Sequence, residues 1–385
     1  MRTVGGFVRP PGLSLAGKLW RLNWMFVLLI CLIGAIGFAM QYSVAKGVLE
    51  PWVMHQMTRF AIGFVVMLTV ALIDVRLWLR YAYPCYFAAL GLLAAVELVG
   101  SGAMGAQRWI SFGYFSMQPS ELMKIALVLS LARYFHGVSP DDVGRPGYLI
   151  VPLAMVAVPV ALVLRQPDLG TAVVLAVAGG AILFLAGLRL WMFAGVLVAG
   201  LASIPVTWQF LHAYQKQRIM AFLNPESDPL GAGYHILQSK IALGSGGVFG
   251  RGFMQGSQSQ LHFLPETQTD FIFTTLAEEL GIVGGLVLMG LYLLVLIYGF
   301  MVSFSSHNQF GRLVGMGVTT IFFLHVFINI AMVMGLIPVV GVPLPLISYG
   351  GTAMVALLFG LGLLMSVDIH RDVRIGRRGA AKPPW

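Results

Sequence analysis

The chain has 385 residues, of which 58% are hydrophobic and 10% charged, with a formal net charge of +9. A soluble domain carries about 25% charged residues, so this composition excludes an ordinary soluble enzyme and indicates an all-α polytopic membrane protein. Nucleic acid is set aside as a partner, because no soluble folded region remains to present a groove.

Ten apolar runs are long enough to cross a bilayer as helices, which takes roughly 17 to 25 residues each. In chain order they are predicted over 23–43, 52–73, 79–99, 119–136, 148–165, 171–187, 190–211, 271–301, 313–336 and 349–367. They are continuous rather than alternating, which argues against a β-barrel. The run 271–301 exceeds one crossing, so tilt or an extension beyond the membrane is expected. Residues 1–22 read as a cytoplasmic amino-terminal tail, 23–367 as one ten-helix domain with a large loop over 212–270, and 368–385 as a basic cytoplasmic tail. The first run is of full spanning length, which does not suit a cleaved signal.

With the amino terminus inside, fifteen of the 24 basic residues fall on the inner side and eight on the outer, with Lys124 within a helix. This bias puts both termini in the cytoplasm and Asp270 outside. It also accounts for much of the +9, and the run from Arg371 to Lys382 would lie against anionic headgroups. Cys31 and Cys85 have no metal or redox spacing.

Three segments break the pattern of short connections. Residues 100–119 form an outer segment containing Arg108. The loop 212–270 is far longer than a usual connection. Within it, Tyr234 to Leu243 reads as a short amphipathic or re-entrant helix, and Gly244 to Gly252 offers close backbone approach. Non-helical backbone at membrane depth survives only under protein or against a water cavity, so this loop is expected to roof a cavity. In 335–351, Pro338, Pro343 and Pro345 prevent a continuous helix, which predicts a broken hairpin on the outer side.

Asp270 precedes the apolar run and is the first candidate for chemistry. It either caps the helix that begins there, with Thr269 as the other possible cap, or serves as a general base beside the roofed cavity. Glu266 lies four residues earlier. Two such carboxylates are able to share a divalent cation, magnesium or manganese, with substrate phosphates; the competing reading is a solvated loop charge. Glu121 and Lys124 are three apart on one helix face, a functional pair or an ion pair that fixes packing. Glu278 and Glu279 are adjacent, so at least one should face the interior. Asp168 is a structural partner for one of the outer cations. Arg108, Arg218 and Lys240 are outer cations able to bind phosphate. At this level a transporter and a lipid-processing enzyme both remain open.

Seven motifs in order resemble the SEDS family of bacterial cell-wall proteins (shape, elongation, division and sporulation). They begin at Gly105 (Gly-Ala-Gln-Arg-Trp), Gln118 (Gln-Pro-Ser-Glu-Leu-Met-Lys), Gln166 (Gln-Pro-Asp-Leu-Gly-Thr) and Gln238 (Gln-Ser-Lys-Ile-Ala-Leu-Gly-Ser-Gly-Gly). The rest begin at Leu264 (Leu-Pro-Glu-Thr-Gln-Thr-Asp-Phe-Ile-Phe), Ala277 (Ala-Glu-Glu-Leu-Gly) and Gly341 (Gly-Val-Pro-Leu-Pro-Leu-Ile-Ser-Tyr-Gly-Gly). The first and last are similar to the elongation branch rather than the division branch. The resemblance implies an inner-membrane peptidoglycan glycosyltransferase that polymerises lipid II on the periplasmic side. Its implied partners are a class B penicillin-binding protein and other membrane proteins of the elongation complex. Asp270 matches the family's essential acidic residue, and Glu121 with Lys124 its ion pair. The implied substrate-binding set is Arg108, Glu121, Lys124, Arg218, Gln238, Ser239, Lys240, Glu266, Thr269 and Ser348, with Glu266 and Asp270 as candidate metal ligands. The rival function is a lipid II flippase, disfavoured because transporters place their sites near the midplane.

Overall fold

The computed structural model describes residues 14–103, 106–111, 116–139, 142–210, 213–224, 232–260, 266–373 and 375–376. The chain opens with α1 (Leu15–Arg21), α2 (Trp24–Val44), α3 (Trp52–Leu72) and α4 (Val75–Val99). Three short strands follow: β1 (Ser101–Ala103), β2 (Ala106–Ser111) and β3 (Ser116–Met117). Next come α5 (Pro119–Gly137), α6 (Pro146–Arg165), α7 (Leu169–Leu185), α8 (Leu190–Phe210) and α9 (Ala213–Leu223). The last elements are α10 (Ala232–Ser245), α11 (Ser257–Gln260), α12 (Ile272–Ser305), α13 (Gln309–Val333) and α14 (Gly351–Ile369).

Side-chain caps start several of these helices, each satisfying a backbone N–H that the first turn leaves unpaired. Asn23 accepts from Phe26 N at 3.1 Å, Asp74 from Arg76 N at 2.8 Å, Asp168 from Thr171 N at 3.2 Å and Asn308 from Gly311 N at 2.6 Å. Seven helices are long and apolar enough to cross a membrane: α2, α3, α4, α6, α12, α13 and α14. The shorter apolar helices α7 and α8, and α5 with its internal charges, match the other three predicted runs. The protein is a multi-pass membrane protein. Of the apolar stretches of α13 and α14, 78% is buried, against 28% for α3, α4, α6 and α12, so α13 and α14 form the centre.

Both described chain ends meet at one end of the bundle. Arg21 pairs with Asp372 at 3.3 Å, Lys18 Nζ donates to the Leu72 carbonyl at 2.7 Å, and His307 N donates to the Arg371 carbonyl at 3.1 Å. Part of the expected amino-terminal tail is therefore the docked helix α1; residues 1–13 and 377–385 lie outside the described residues.

Two features depart from the sequence reading. The segment after α4 is a small antiparallel sheet ordered β1-β2-β3, with Gly102 opposite Gln107 and Ile110 opposite Met117. The long eighth run is not one rod, since α12 breaks at Gly281, which holds φ 68° and ψ −165°, backbone space that is essentially glycine's alone. The break lets the glycine-rich segment lie on the helix backbone: Arg251 N and Gly252 N donate to the Glu278 and Glu279 carbonyls at 3.0 Å, and Ile282 N donates to Gly247 O at 3.0 Å. A methyl on Gly281 would sit 2.4 Å from Gly250 N.

Candidate active site

At the end opposite the described termini, α12 begins directly after the turn that carries Glu266 to Asp270. The Glu266 carbonyl accepts from Thr269 N and Asp270 N, both at 3.1 Å, with Glu266 at φ 53°. The residue capping α12 is Phe271, which has no side-chain cap bond. Asp270 therefore stands one residue before the cap, and the Thr269 hydroxyl turns back to Glu266, 3.1 Å from Oε2 and 3.2 Å from the carbonyl oxygen. Glu266 is exposed and Asp270 half-buried.

This turn is bolted to the segment 341–349. Ser348 Oγ donates to the Thr269 carbonyl at 2.5 Å, Tyr349 N to the Gln268 carbonyl at 2.8 Å, and Leu344 N to Ser348 Oγ at 2.8 Å. Two buried glutamines clamp the junction: Gln41 donates to the Gln268 and Ile347 carbonyls at 2.8 and 3.1 Å, and Gln56 to the Ser348 carbonyl at 2.9 Å. From α13, Asn329 Nδ2 donates to the Asp270 carbonyl at 3.1 Å and the Val342 carbonyl at 2.8 Å. At Gly341, φ is +73°, and a methyl there would lie 3.5 Å from Asp270 Oδ2. The carboxylate thus rests against the left-handed glycine of the proline-rich hairpin.

Behind Gly341 lies a small polar cavity of about 40 Å³, lined by Gln118, Glu121, Lys124, Thr171, His325 and the segment 341–343. Lys124 Nζ stands 2.9 and 2.8 Å from the two Glu121 oxygens. Among the described residues it is the one ion pair with both members buried. Its third partner is His325 Nε2 at 2.8 Å, while His325 Nδ1 lies 2.8 Å from the Ile321 carbonyl. A carbonyl only accepts, so Nδ1 carries the proton and Nε2 accepts from the ammonium. The cover over this cavity comes from 341–343. Of the loop 212–270, expected to roof a cavity, the glycine segment 244–252 packs on α12.

The remaining predicted residues are more dispersed. Arg108 donates to the Gln166 carbonyl at 3.3 Å and to the Pro167 carbonyl, so it braces the turn before α7. Asp168 takes Thr171 Oγ1 at 2.9 Å and Gln118 Nε2 at 3.3 Å rather than a cation. Ser239 is buried against Thr274 Oγ1 at 3.0 Å and the Val333 carbonyl at 2.8 Å. Gln238 is half-buried and Lys240 exposed on α10, with the Lys240 stem against Gly335. Arg218 lies on α9, with its side chain outside the described residues. Both members of the Glu278–Glu279 pair are buried; Glu278 accepts from Gln258 N at 2.8 Å and Glu279 from Ser43 Oγ.

Gln41, Gln56, Gln118, His325 and Asn329 complete the arrangement and were not singled out from sequence. Their only signal is polarity inside apolar runs, with His325 and Asn329 one turn apart on α13.

Residues 21–373 match the FtsW/RodA/SpoVE family of cell cycle proteins. The chain belongs to this family. It is 48% identical to the peptidoglycan glycosyltransferase MrdB of Escherichia coli strain K12 over 82% of this chain and 85% of that protein. It is 36% identical to the probable peptidoglycan glycosyltransferase FtsW of Trichlorobacter lovleyi over 91% and 94% of the two. Among solved structures, a chain of a peptidoglycan synthase complex that coordinates polymerization and crosslinking matches with a TM-score of 0.79 at 32% identity, over 91% of this chain and 98% of that one. The rod shape determining protein RodA of Thermus thermophilus matches with a TM-score of 0.69 at 29% identity, over 92% and 98%.

Proposed function

We propose that this membrane protein polymerises lipid II into peptidoglycan strands during cell elongation, with Asp270 as the general base. The observation that carries the site assignment is the placement of Asp270: its carboxylate rests against Gly341 at the start of α12, and its backbone is fixed by Asn329 and the Ser348 junction. A sugar 4-hydroxyl attacks the anomeric carbon that bears the lipid pyrophosphate, with inversion. The hydroxyl proton passes to the Asp270 carboxylate, and the C–O bond to pyrophosphate breaks. General-base help of this kind contributes roughly 10²–10⁴-fold.

Departing pyrophosphate needs cations around it. Lys240 is exposed and reaches solvent at this end, whereas Lys124 and Arg108 are committed to protein partners. Lys124 lies behind Gly341, paired with Glu121 and His325 in the cavity that Gly341 borders. A divalent cation would be held by Glu266 and Asp270, which one turn brings to the same tip, and would supply positive charge toward phosphate. No cluster of three ligating side chains exists among the described residues, so substrate oxygens would complete its shell, as they do at many magnesium sites.

The protein sits in the bacterial inner membrane with both termini cytoplasmic and Asp270 periplasmic. The shared end of the two described termini, opposite Asp270, supports this orientation. A class B penicillin-binding protein is its crosslinking partner, and the likeness to a synthase-complex chain supports that pairing. The test is polymerisation of lipid II by the purified complex with that partner: wild type makes glycan strands and Asp270→Asn makes none. Normal polymer from Asp270→Asn removes the catalytic assignment.

A further inference from the structure

At the end of the bundle away from Asp270, a cavity of about 540 Å³ opens between the first turns of α4 and the last turns of α5. Arg76, Arg80 and Arg133 line it together with Tyr83, Tyr134 and His136. Arg76, Arg80 and Tyr83 fall at helical spacing on one stripe of α4. Arg133 is pre-set: it donates to the Arg80 carbonyl at 2.7 Å, and its guanidinium lies 4.3 Å from the centre of the Tyr83 ring. Gly137 also borders the cavity and faces open space. Among the described residues no carboxylate lines the space, and none of the three arginines joins an ion pair.

A general bias of basic residues toward the cytoplasm accounts for arginine at this end, but not for convergence on one open cleft. Three like charges around a common volume repel unless an anion lies between them. We propose that this cavity binds the phosphate of an anionic phospholipid headgroup. Guanidinium groups suit phosphate through paired hydrogen bonds. The volume lies within the roughly 300–1,000 Å³ of small-ligand sites. A lipid is favoured over free phosphate by what flanks the opening. Leu77 and Tyr81 on α4, and Tyr148 and Ile150 on α6, are exposed apolar groups along which acyl chains can run. Tyr134 ties α5 to α6 there, donating to the Tyr148 carbonyl at 2.8 Å.

The test is native mass spectrometry of the full-length protein in detergent, offered phosphatidylglycerol or phosphatidylcholine at equal concentration. Phosphatidylglycerol should be retained and phosphatidylcholine not. The double variant Arg76→Gln/Arg80→Gln, both at exposed side chains, should lower retention roughly tenfold. Arg145→Gln, an arginine of the same end already paired with Asp142 at 2.7 Å, should leave it unchanged. Inorganic phosphate should not displace the lipid from the wild type, which separates a lipid site from a free-anion site without any variant. Equal retention of both lipids, undiminished retention in the double variant, or displacement by inorganic phosphate or a polyglutamate peptide would each overturn the proposal.

Discussion

Asn329 offers the sharpest test of how Asp270 is placed. It is fully buried, and its one amide nitrogen holds the Asp270 and Val342 carbonyls together. Asn329→Ala leaves both carbonyls short of a donor, at about 1–3 kcal/mol each. Asn329 Oδ1 has no hydrogen-bond partner among the described residues, so its removal returns about 1–2 kcal/mol, for a net cost of about 0–5 kcal/mol. That cost falls on the junction that fixes the base, so the rate suffers more than the fold. A displacement near 1 Å at a reacting group costs on the order of 100-fold, and the expected loss in lipid II polymerisation is roughly 10- to 100-fold. Asn329→Asp should do worse, because it sets a carboxylate against the same two oxygens. The assay is polymer length and yield on gels with purified complex, alongside thermal unfolding in detergent. Polymerisation within about twofold of wild type, together with a clear drop in thermal stability, would show that Asn329 packs the bundle without aiming Asp270.

Three further outcomes follow from the same geometry. Lys124→Met should cost about 3–5 kcal/mol by stranding the Glu121 carboxylate, while Glu121→Gln/Lys124→Met should recover most of the thermal stability; equal melting of the two variants would contradict this. Gly281→Ala should cost about 2–5 kcal/mol from left-handed strain plus overlap with Gly250 N and Val248 O, read as loss of folded protein after detergent extraction, and unchanged yield would argue that the 246–252 segment can move away. His370 sits just past α14, where burial, helped by Lys18 and Arg76, lowers its affinity for protons below the ordinary 6.5. The unfolded chain binds that proton more readily, so the contribution to stability is full above pH 6.5 and fades as pH falls through the lower folded value. Melting curves between pH 5 and 7.5 (roughly the histidine range) should show this slope, and His370→Asn should flatten it.

The helices were legible because hydrocarbon length is a strong constraint. The predicted runs 52–73, 119–136 and 190–211 end within one residue of α3, α5 and α8. Interruptions were less legible. Gly281 sits in a run that reads as one continuous helix, and its left-handed backbone is tied to the 246–252 segment packing on it rather than to neighbours in sequence. The short sheet after α4 escaped notice because strands of two to six residues give too little alternation to read. At the site, Asp270, Glu266, Glu121 and Lys124 were visible as rare charges in an apolar chain. Gln41, Gln56 and Asn329 were not, since an uncharged amide inside a span looks like packing until its carbonyl partners are known. The cap position of α12, which sequence left between Thr269 and Asp270, falls on Phe271.

The Glu121–Lys124–His325 group sums to no net charge, with one anion, one cation and one neutral ring sealed among apolar helices. Loss of either ion alone would leave its counterpart stranded in hydrocarbon. These two positions can therefore drift in evolution only in tandem, through an intermediate that the membrane itself selects against.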